Sequence, residues 1–135
     1  MSEDTAKIQE LLDRFERGWR EANAAELISL WDPSSADSIY IAAERDEPVY
    51  GFAGVKEYYT DAVAMFPITS MKIDNVRIHE YGSIGYAYCE IAIGFKVEES
   101  EHLVHPRATF VLRKREGRWY CVEYHESIKW DLPES

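Results

Sequence analysis

Cysteine, positive charge and long apolar runs are all scarce in this chain. Of its 135 residues two are cysteines, Cys89 and Cys121. They have no CxxC spacing, and both sit in strand-like segments, so they read as two buried reduced thiols and not as a redox or zinc motif. Lys and Arg number 15 against 25 Asp and Glu, for a formal net charge of −10. A chain this acidic is repelled by nucleic-acid phosphates and anionic lipid surfaces, which argues against both as partners. Its one basic run, RKREGR at 113–118, reads as a hairpin end. No apolar run approaches the ~20 residues of a membrane span, and MSEDTAKIQE has no basic-then-apolar signal pattern. The expectation is a soluble, cytoplasmic protein. No repeat, low-complexity segment or linker divides it, so residues 1–135 read as one domain.

Apolar material is plentiful: 46% of residues are hydrophobic and 13% aromatic, enough to exclude disorder. Ile8, Leu11, Leu12, Phe15 and Trp19 form one stripe at a period of 3.6, which predicts a helix over 4–20, capped by Asp4 or Thr5. Asn23 suits the cap of a second, short helix that ends before Pro33. SIYIAAE, 38–44, predicts a strand, and PVYG a short returning one. Gly51 opens a third helix with Val55, Tyr58, Tyr59, Ala62, Val63 and Phe66 on one face. Beyond Pro67 the period becomes two. Residues 68–81 predict a strand with a bulge near Asp74–Asn75, where the apolar parity changes. Residues 84–97, then LVHPRATFVLRKR as a single strand, then RWYCVEYHESIKW follow, with Glu116-Gly117 as a hairpin turn. Three helices followed by long antiparallel strands predict an α+β fold. Its strongly curved sheet would pack one face on the helices and enclose a cone, whose open end is a natural pocket.

In GRWYCVEYHES, 117–127, Glu123, His125 and Ser127 stand two apart. Alternate strand residues share a face but lie roughly 6.5–7 Å apart, too far for an in-line triad. His125 alone remains the leading acid or base candidate; the alternative is a hydrogen-bonded histidine on a sheet or dimer face. Arg107, on the neighbouring strand, suits an anionic group or else a surface ion pair. His105 shares its parity, so both could face one cavity. Glu44, in line with Tyr40, reads as a carboxylate base at the pocket mouth or as a solvated turn residue. Glu90, with Tyr88 of the same parity, is a pocket acid or the partner of a cation. Trp19, Trp31, Tyr58 and Tyr59 are core residues first, some of which could line the cavity. His102 and His105, three apart on a strand, point to opposite faces, so no metal site is expected there.

Trp31-Asp32, SIYIAAE, Gly51 with Val55 and Tyr58-Tyr59, and above all RATFVLRKREGRWYCVEYHES carry a resemblance over nearly the whole chain. The chain resembles the nuclear transport factor 2-like superfamily in its SnoaL-like branch, and is similar to the association domain of calmodulin-dependent protein kinase II. The resemblance implies a conical, cystatin-like α+β barrel with a cavity, usually in homodimers. Such proteins include isomerases, dehydratases and hydrolases as well as non-catalytic binders, so fold alone does not choose among them. Glu44 lies near the position of the ketosteroid isomerase base, but no Tyr and Asp pair matches that family's oxyanion hole. Two readings follow. One is a cofactor-independent acid/base enzyme for a small, anionic organic molecule, with His125 and Glu44 catalytic and Arg107, Tyr40, His105, Trp31, Tyr58, Tyr88 and Glu90 holding the ligand. The other is a non-catalytic association or ligand-binding module.

Overall fold

The structure is a computed structural model that describes residues 2–129. Helix α1 spans Glu3–Arg20 and buries the expected stripe of Ile8, Leu11, Leu12, Phe15 and Trp19. Its cap is Ser2, not Asp4 or Thr5: the Ser2 hydroxyl accepts the Thr5 N–H at 3.0 Å, satisfying a first-turn donor that the helix leaves free. Asp4 is used elsewhere. It accepts from Trp119 Nε1 at 2.9 Å and pairs with Lys114 at 3.0 Å, fastening the helix to the closing hairpin. Helix α2, Ala24–Ser29, is capped by Asn23. Helix α3, Gly51–Met65, buries Val55, Tyr58, Tyr59 and Ala62.

Among the described residues seven strands form one sheet: β1 Ile39–Ile41, β2 Val49–Tyr50, β3 Ile68–Tyr81, β4 Ile84–Val97, β5 Ser100–Val104, β6 Arg107–Arg115 and β7 Arg118–Ser127. The order is β2-β1-β7-β6-β4-β3, with β5 also on β4. The sheet is mixed and not wholly antiparallel as expected, because β1 runs parallel to β7, with Tyr40 beside Tyr124. It is also open, with β2 and β3 at the ends of the path, so the expected barrel does not close. The expected bulge near Asp74–Asn75 is present: pairing jumps from Asp74↔Glu90 to Arg77↔Tyr88, and Asn75 has φ 48°. Glu116 and Gly117 have φ 53° and 78°, the left-handed pair that a tight hairpin turn demands.

Two strand assignments change. LVHPRATFVLRKR is not one strand, since β5 and β6 lie end to end along the same edge of β4 and the chain breaks at His105–Pro106. Proline has no N–H for the ladder; the Pro106 carbonyl still accepts the Ile91 N–H at 2.9 Å. The second change is in β7. Val111 pairs with Glu123 but Leu112 pairs with Cys121, so Val122 is an extra residue that reverses the parity of everything after it. Trp119 and Cys121 face the core, and beyond the bulge so does Tyr124, while His125 is exposed.

The core is aromatic. Tyr40 packs on Tyr58 and on Tyr124, both at 4.6 Å between ring centroids, and Phe15 meets Phe110 edge-on at 5.0 Å. Trp31 is fully buried and donates from Nε1 to the Tyr59 hydroxyl at 3.0 Å. Beside it Asp32 is buried without solvent contact, accepting from the Ser34 N–H at 2.9 Å and pairing with Arg115 at 3.1 Å. Burial pushes the Asp32 carboxyl upward, but the Ser34 hydroxyl and N–H and the Arg115 charge outweigh it, and its pKa lies below the ordinary value.

Candidate functional site

A cavity of about 270 Å³ opens between the concave side of the sheet and the helices. The helical walls follow from the 3.6-residue stripes of the sequence, whereas the β7 wall depends on the Val122 bulge. Phe15 and Trp19 come from the α1 stripe, Tyr58 from α3, and Tyr40 and Tyr124 from paired positions on β1 and β7. Met71 on β3, Ile93 and Phe95 on β4 and Val104 on β5 close the other side. Phe66 and Ile128 form the lip and remain 44% and 47% exposed. A 150 Å³ apolar cavity holds a benzene ring, so this one has room for a bicyclic molecule.

Among the described residues the cavity is lined by two carboxylates, Glu44 and Glu126, and by no Lys, Arg or His. Glu44 lies in the turn after β1, exposed at the mouth, and accepts the Tyr58 hydroxyl at 2.8 Å. Glu126 is half-buried on β7. Its Oε1 accepts the Ala43 N–H at 3.1 Å and its Oε2 accepts the Tyr124 hydroxyl at 3.1 Å. Burial raises the Glu126 carboxyl to about 7, against the two hydrogen bonds; the Glu44 charge adds to the rise. The Tyr58 hydroxyl is pushed well up by its own burial, and then by the Glu44 charge and hydrogen bond. At neutral pH the site therefore contains one carboxyl group balanced between its two states. This is the condition for general acid–base work, since a group titrating near ambient pH both gives and takes a proton.

Only part of the sequence-derived set meets here. Glu44, Tyr40 and Tyr58 line the cavity. His125, Arg107 and Tyr88 do not: with Thr109 and Ser127 they line a shallow groove on the opposite, outer face of the sheet. The expectation that His125 works beside Glu44 is corrected by the Val122 bulge, which turns His125 outward and Glu126 inward. Arg107 is exposed, opposite Glu90 on one side and Ser127 on the other. Glu90 is outward too, accepting Asn75 Nδ2 at 2.6 Å and the Tyr88 hydroxyl at 3.1 Å, because the inward parity of β4 belongs to Ala87, Cys89 and Ile91. His105 is exposed at the break between β5 and β6 and does not share a cavity with Arg107. Trp31 supports Tyr59 from within the core and is not a wall residue. Glu126 is the residue the sequence reading passed over. Its signal was the alternation Tyr124, Glu126, Ile128, a carboxylate in step with apolar neighbours.

Among the described residues no group of three or more His, Cys, Asp or Glu is disposed to hold a metal ion, and no helix is long and apolar enough to cross a membrane. Burial pushes the Cys89 thiol up to about 12, so it is an inert core group and not a nucleophile.

Solved structures with the same architecture are numerous. A nuclear transport factor 2-like protein of unknown function from Pseudomonas putida KT2440 shares 20% identity, with 98% of this chain and 92% of that one covered and a TM-score of 0.82. An uncharacterised protein with a cystatin-like fold from Caulobacter vibrioides shares 15%, covering 95% and 91%, with a TM-score of 0.80. A ketosteroid isomerase-like protein from Erwinia carotovora atroseptica shares 15%, covering 97% and 100%, with a TM-score of 0.79. At these identities the likeness is one of fold. No match to a curated protein is found. The sequence pattern of the SnoaL-like domain matches residues 8–131, and on that span the chain belongs to the SnoaL-like family.

Proposed function

We propose that the protein binds a compact, largely apolar organic molecule in the cavity and moves a proton on it, with Glu126 as the group that gives and takes the proton. One observation carries this reading: two carboxylates in unlike surroundings converge at one end of an otherwise apolar chamber. Glu44, exposed at the mouth, accepts the Tyr58 hydroxyl. Glu126, desolvated and near its midpoint at neutral pH, supplies the exchangeable proton. Tyr40, Tyr58 and Tyr124 give the ligand flat surfaces to stack on. No metal or cofactor is needed for such a step. Arg107 lies in the outer groove and not among the described wall residues, so it lends no support to an anionic ligand in the cavity.

Native mass spectrometry of freshly purified protein tests the binding half, by reporting retained small molecules. Ligands so found should raise the melting temperature of the wild type and not of Ile93→Trp, in which the cavity is filled. Deuterium incorporation into a retained ligand in D₂O, lost in Glu126→Gln, tests the proton transfer. A protein that retains nothing and responds to no bicyclic compound would sink the reading.

The outer face supports a second role. We infer that the chain pairs with a second copy there, because Tyr88, Arg107, Thr109, His125 and Ser127 form a groove of stacking and hydrogen-bonding groups on that face. In that reading His125 and Arg107 serve assembly. Sedimentation at micromolar concentration should give a dimer, and a monomer would refute it.

A further inference from the structure

We propose that the ligand of the cavity carries a protonated amine, and that Glu44 and Glu126 together hold its ammonium group at the mouth while its apolar part fills the chamber. This rests on the small-molecule reading above and names the chemical class of that molecule. The argument begins with the donors and acceptors that the walls offer. An ionised carboxylate has about four acceptor positions. Glu44 uses one, on the Tyr58 hydroxyl. Glu126 uses two, on the Ala43 N–H and the Tyr124 hydroxyl. Among the described residues the pair therefore keeps several acceptor positions, and no lining side chain there carries a positive charge. An ammonium is the complementary group, with three donors, no acceptor and one positive charge. A carboxylate ligand would meet two like charges and no cation. Tyr40 and Tyr58 add aromatic surface beside the carboxylates, and a cation gains by lying over such rings. Arg45 already uses the Tyr58 ring in this way, with its guanidinium carbon 5.6 Å from the centroid. Yet Arg45 is not a wall residue, so it leaves the chamber free. The net charge of −10 concentrates organic cations around the molecule and excludes anions.

The charged and titratable groups around Glu126 are Tyr124 on its own strand, Glu44 from the turn after β1, Tyr40, Tyr58 and Cys89, with Arg45 beyond the Tyr58 ring. An arriving cation favours the ionised form of Glu126. Amine binding therefore releases a proton near neutrality and strengthens between pH 6 and pH 8, a range over which an alkylammonium stays charged. A neutral ligand whose oxygen accepts from protonated Glu126 weakens over the same range.

The test uses three bicyclic probes of one shape: 1-naphthylmethylamine, 1-naphthylmethanol and 1-naphthoate, titrated calorimetrically into the full chain at pH 6, 7 and 8. The expected order is amine, then alcohol, then acid. The amine should lead the alcohol by about tenfold or more at pH 8, the factor that charge-assisted hydrogen bonds carry, and its affinity should rise from pH 6 to 8. Glu126→Gln should lose about tenfold in amine affinity and flatten that pH dependence; Glu44→Gln should also weaken the amine. Circular dichroism confirms that each variant is folded. Equal affinity for amine and alcohol, preference for the acid, or amine binding unchanged by pH would overturn the amine assignment while leaving the cavity reading in place. Failure of all three probes to bind would overturn both.

Discussion

Replacing Glu126 by Gln removes one titrating group and barely changes the volume, which makes it a direct probe of the cavity. The ordinary value for this carboxyl is 4.5, and the folded protein holds it at about 7. A raised acid has a definite sign in its linkage to stability. Between those two values the native state keeps a proton that the unfolded state has lost, so stability falls as pH rises through the interval. Above pH 7 the full cost is present: a rise from 4.5 to about 7 at 1.36 kcal/mol per pH unit gives about 3 kcal/mol as an upper bound. Solvent at the open mouth screens part of this, leaving a penalty of about 1–2 kcal/mol. Gln carries no such penalty, and its amide can still accept the Ala43 N–H while donating to the Tyr124 oxygen.

The assay is urea unfolding followed by tryptophan fluorescence, for wild type and Glu126→Gln, at pH 5, 6, 7 and 8. Subtracting the two stabilities cancels the groups common to both chains. The wild type should lose about 1–2 kcal/mol relative to the variant between pH 5 and pH 8. A difference that is flat across the range, or that rises with pH, would mean that Glu126 is not desolvated beside Glu44. The assignment of this carboxyl as the proton-exchanging group would then fall.

Trp119→Ala should destabilise by about 3–5 kcal/mol, since the ring is 4% exposed and its Nε1 donates to Asp4; an unchanged melting temperature would refute its burial. Tyr58→Phe removes one hydrogen bond to Glu44 and should cost about 1 kcal/mol in stability by urea unfolding. Asp32→Asn should destabilise by about 1–3 kcal/mol at pH 7. Because the Asp32 pKa is lowered in the folded state, its contribution is present above the ordinary value and is lost as pH falls through the folded one. The deficit of the variant should therefore shrink in acid, which urea titrations at pH 7 and pH 3 would show.

The helices were legible because a stripe at a period of 3.6 needs only its own residues: Ile8, Leu11, Leu12, Phe15 and Trp19 are enough. The bulge at Asp74–Asn75 was legible for a similar reason, as the apolar parity changes there within one strand. The split between β5 and β6 has a marker in the sequence. Pro106 cannot donate to the ladder, and a proline within a strand pattern is itself an argument for an interruption. The caps were less readable. Ser2, Asp4 and Thr5 are all good cap formers, and the choice was settled by Trp119 and Lys114, which draw Asp4 away from over a hundred residues off.

The cavity-facing side of β7 shows where one sequence stops being sufficient. Val122 is β-branched and apolar, the type that a regular strand prefers, so nothing local marks it as an inserted residue. The bulge is set by its partner strand: Val111 takes Glu123 and Leu112 takes Cys121, which allows Trp119, Cys121 and Tyr124 all to be buried. A regular strand would satisfy Trp119 and Cys121 but would send Tyr124 to the outer face and bring His125 in. The extra residue thus saves the Tyr124 ring, which is stacked on Tyr40 at 4.6 Å, for the core. It also exchanges an imidazole for a carboxyl in the chamber. The chemistry of the site follows from that packing choice. Removing Val122 should therefore leave the faces as they are: Cys121 and Glu123 become neighbours opposite Leu112 and Val111 in a regular strand, so a folded deletion variant should keep Tyr124 and Glu126 inward, His125 outward, and the carboxyl titrating near 7. If the deletion folds and NMR shows that carboxyl gone, Val122 is not the residue that the bulge inserts.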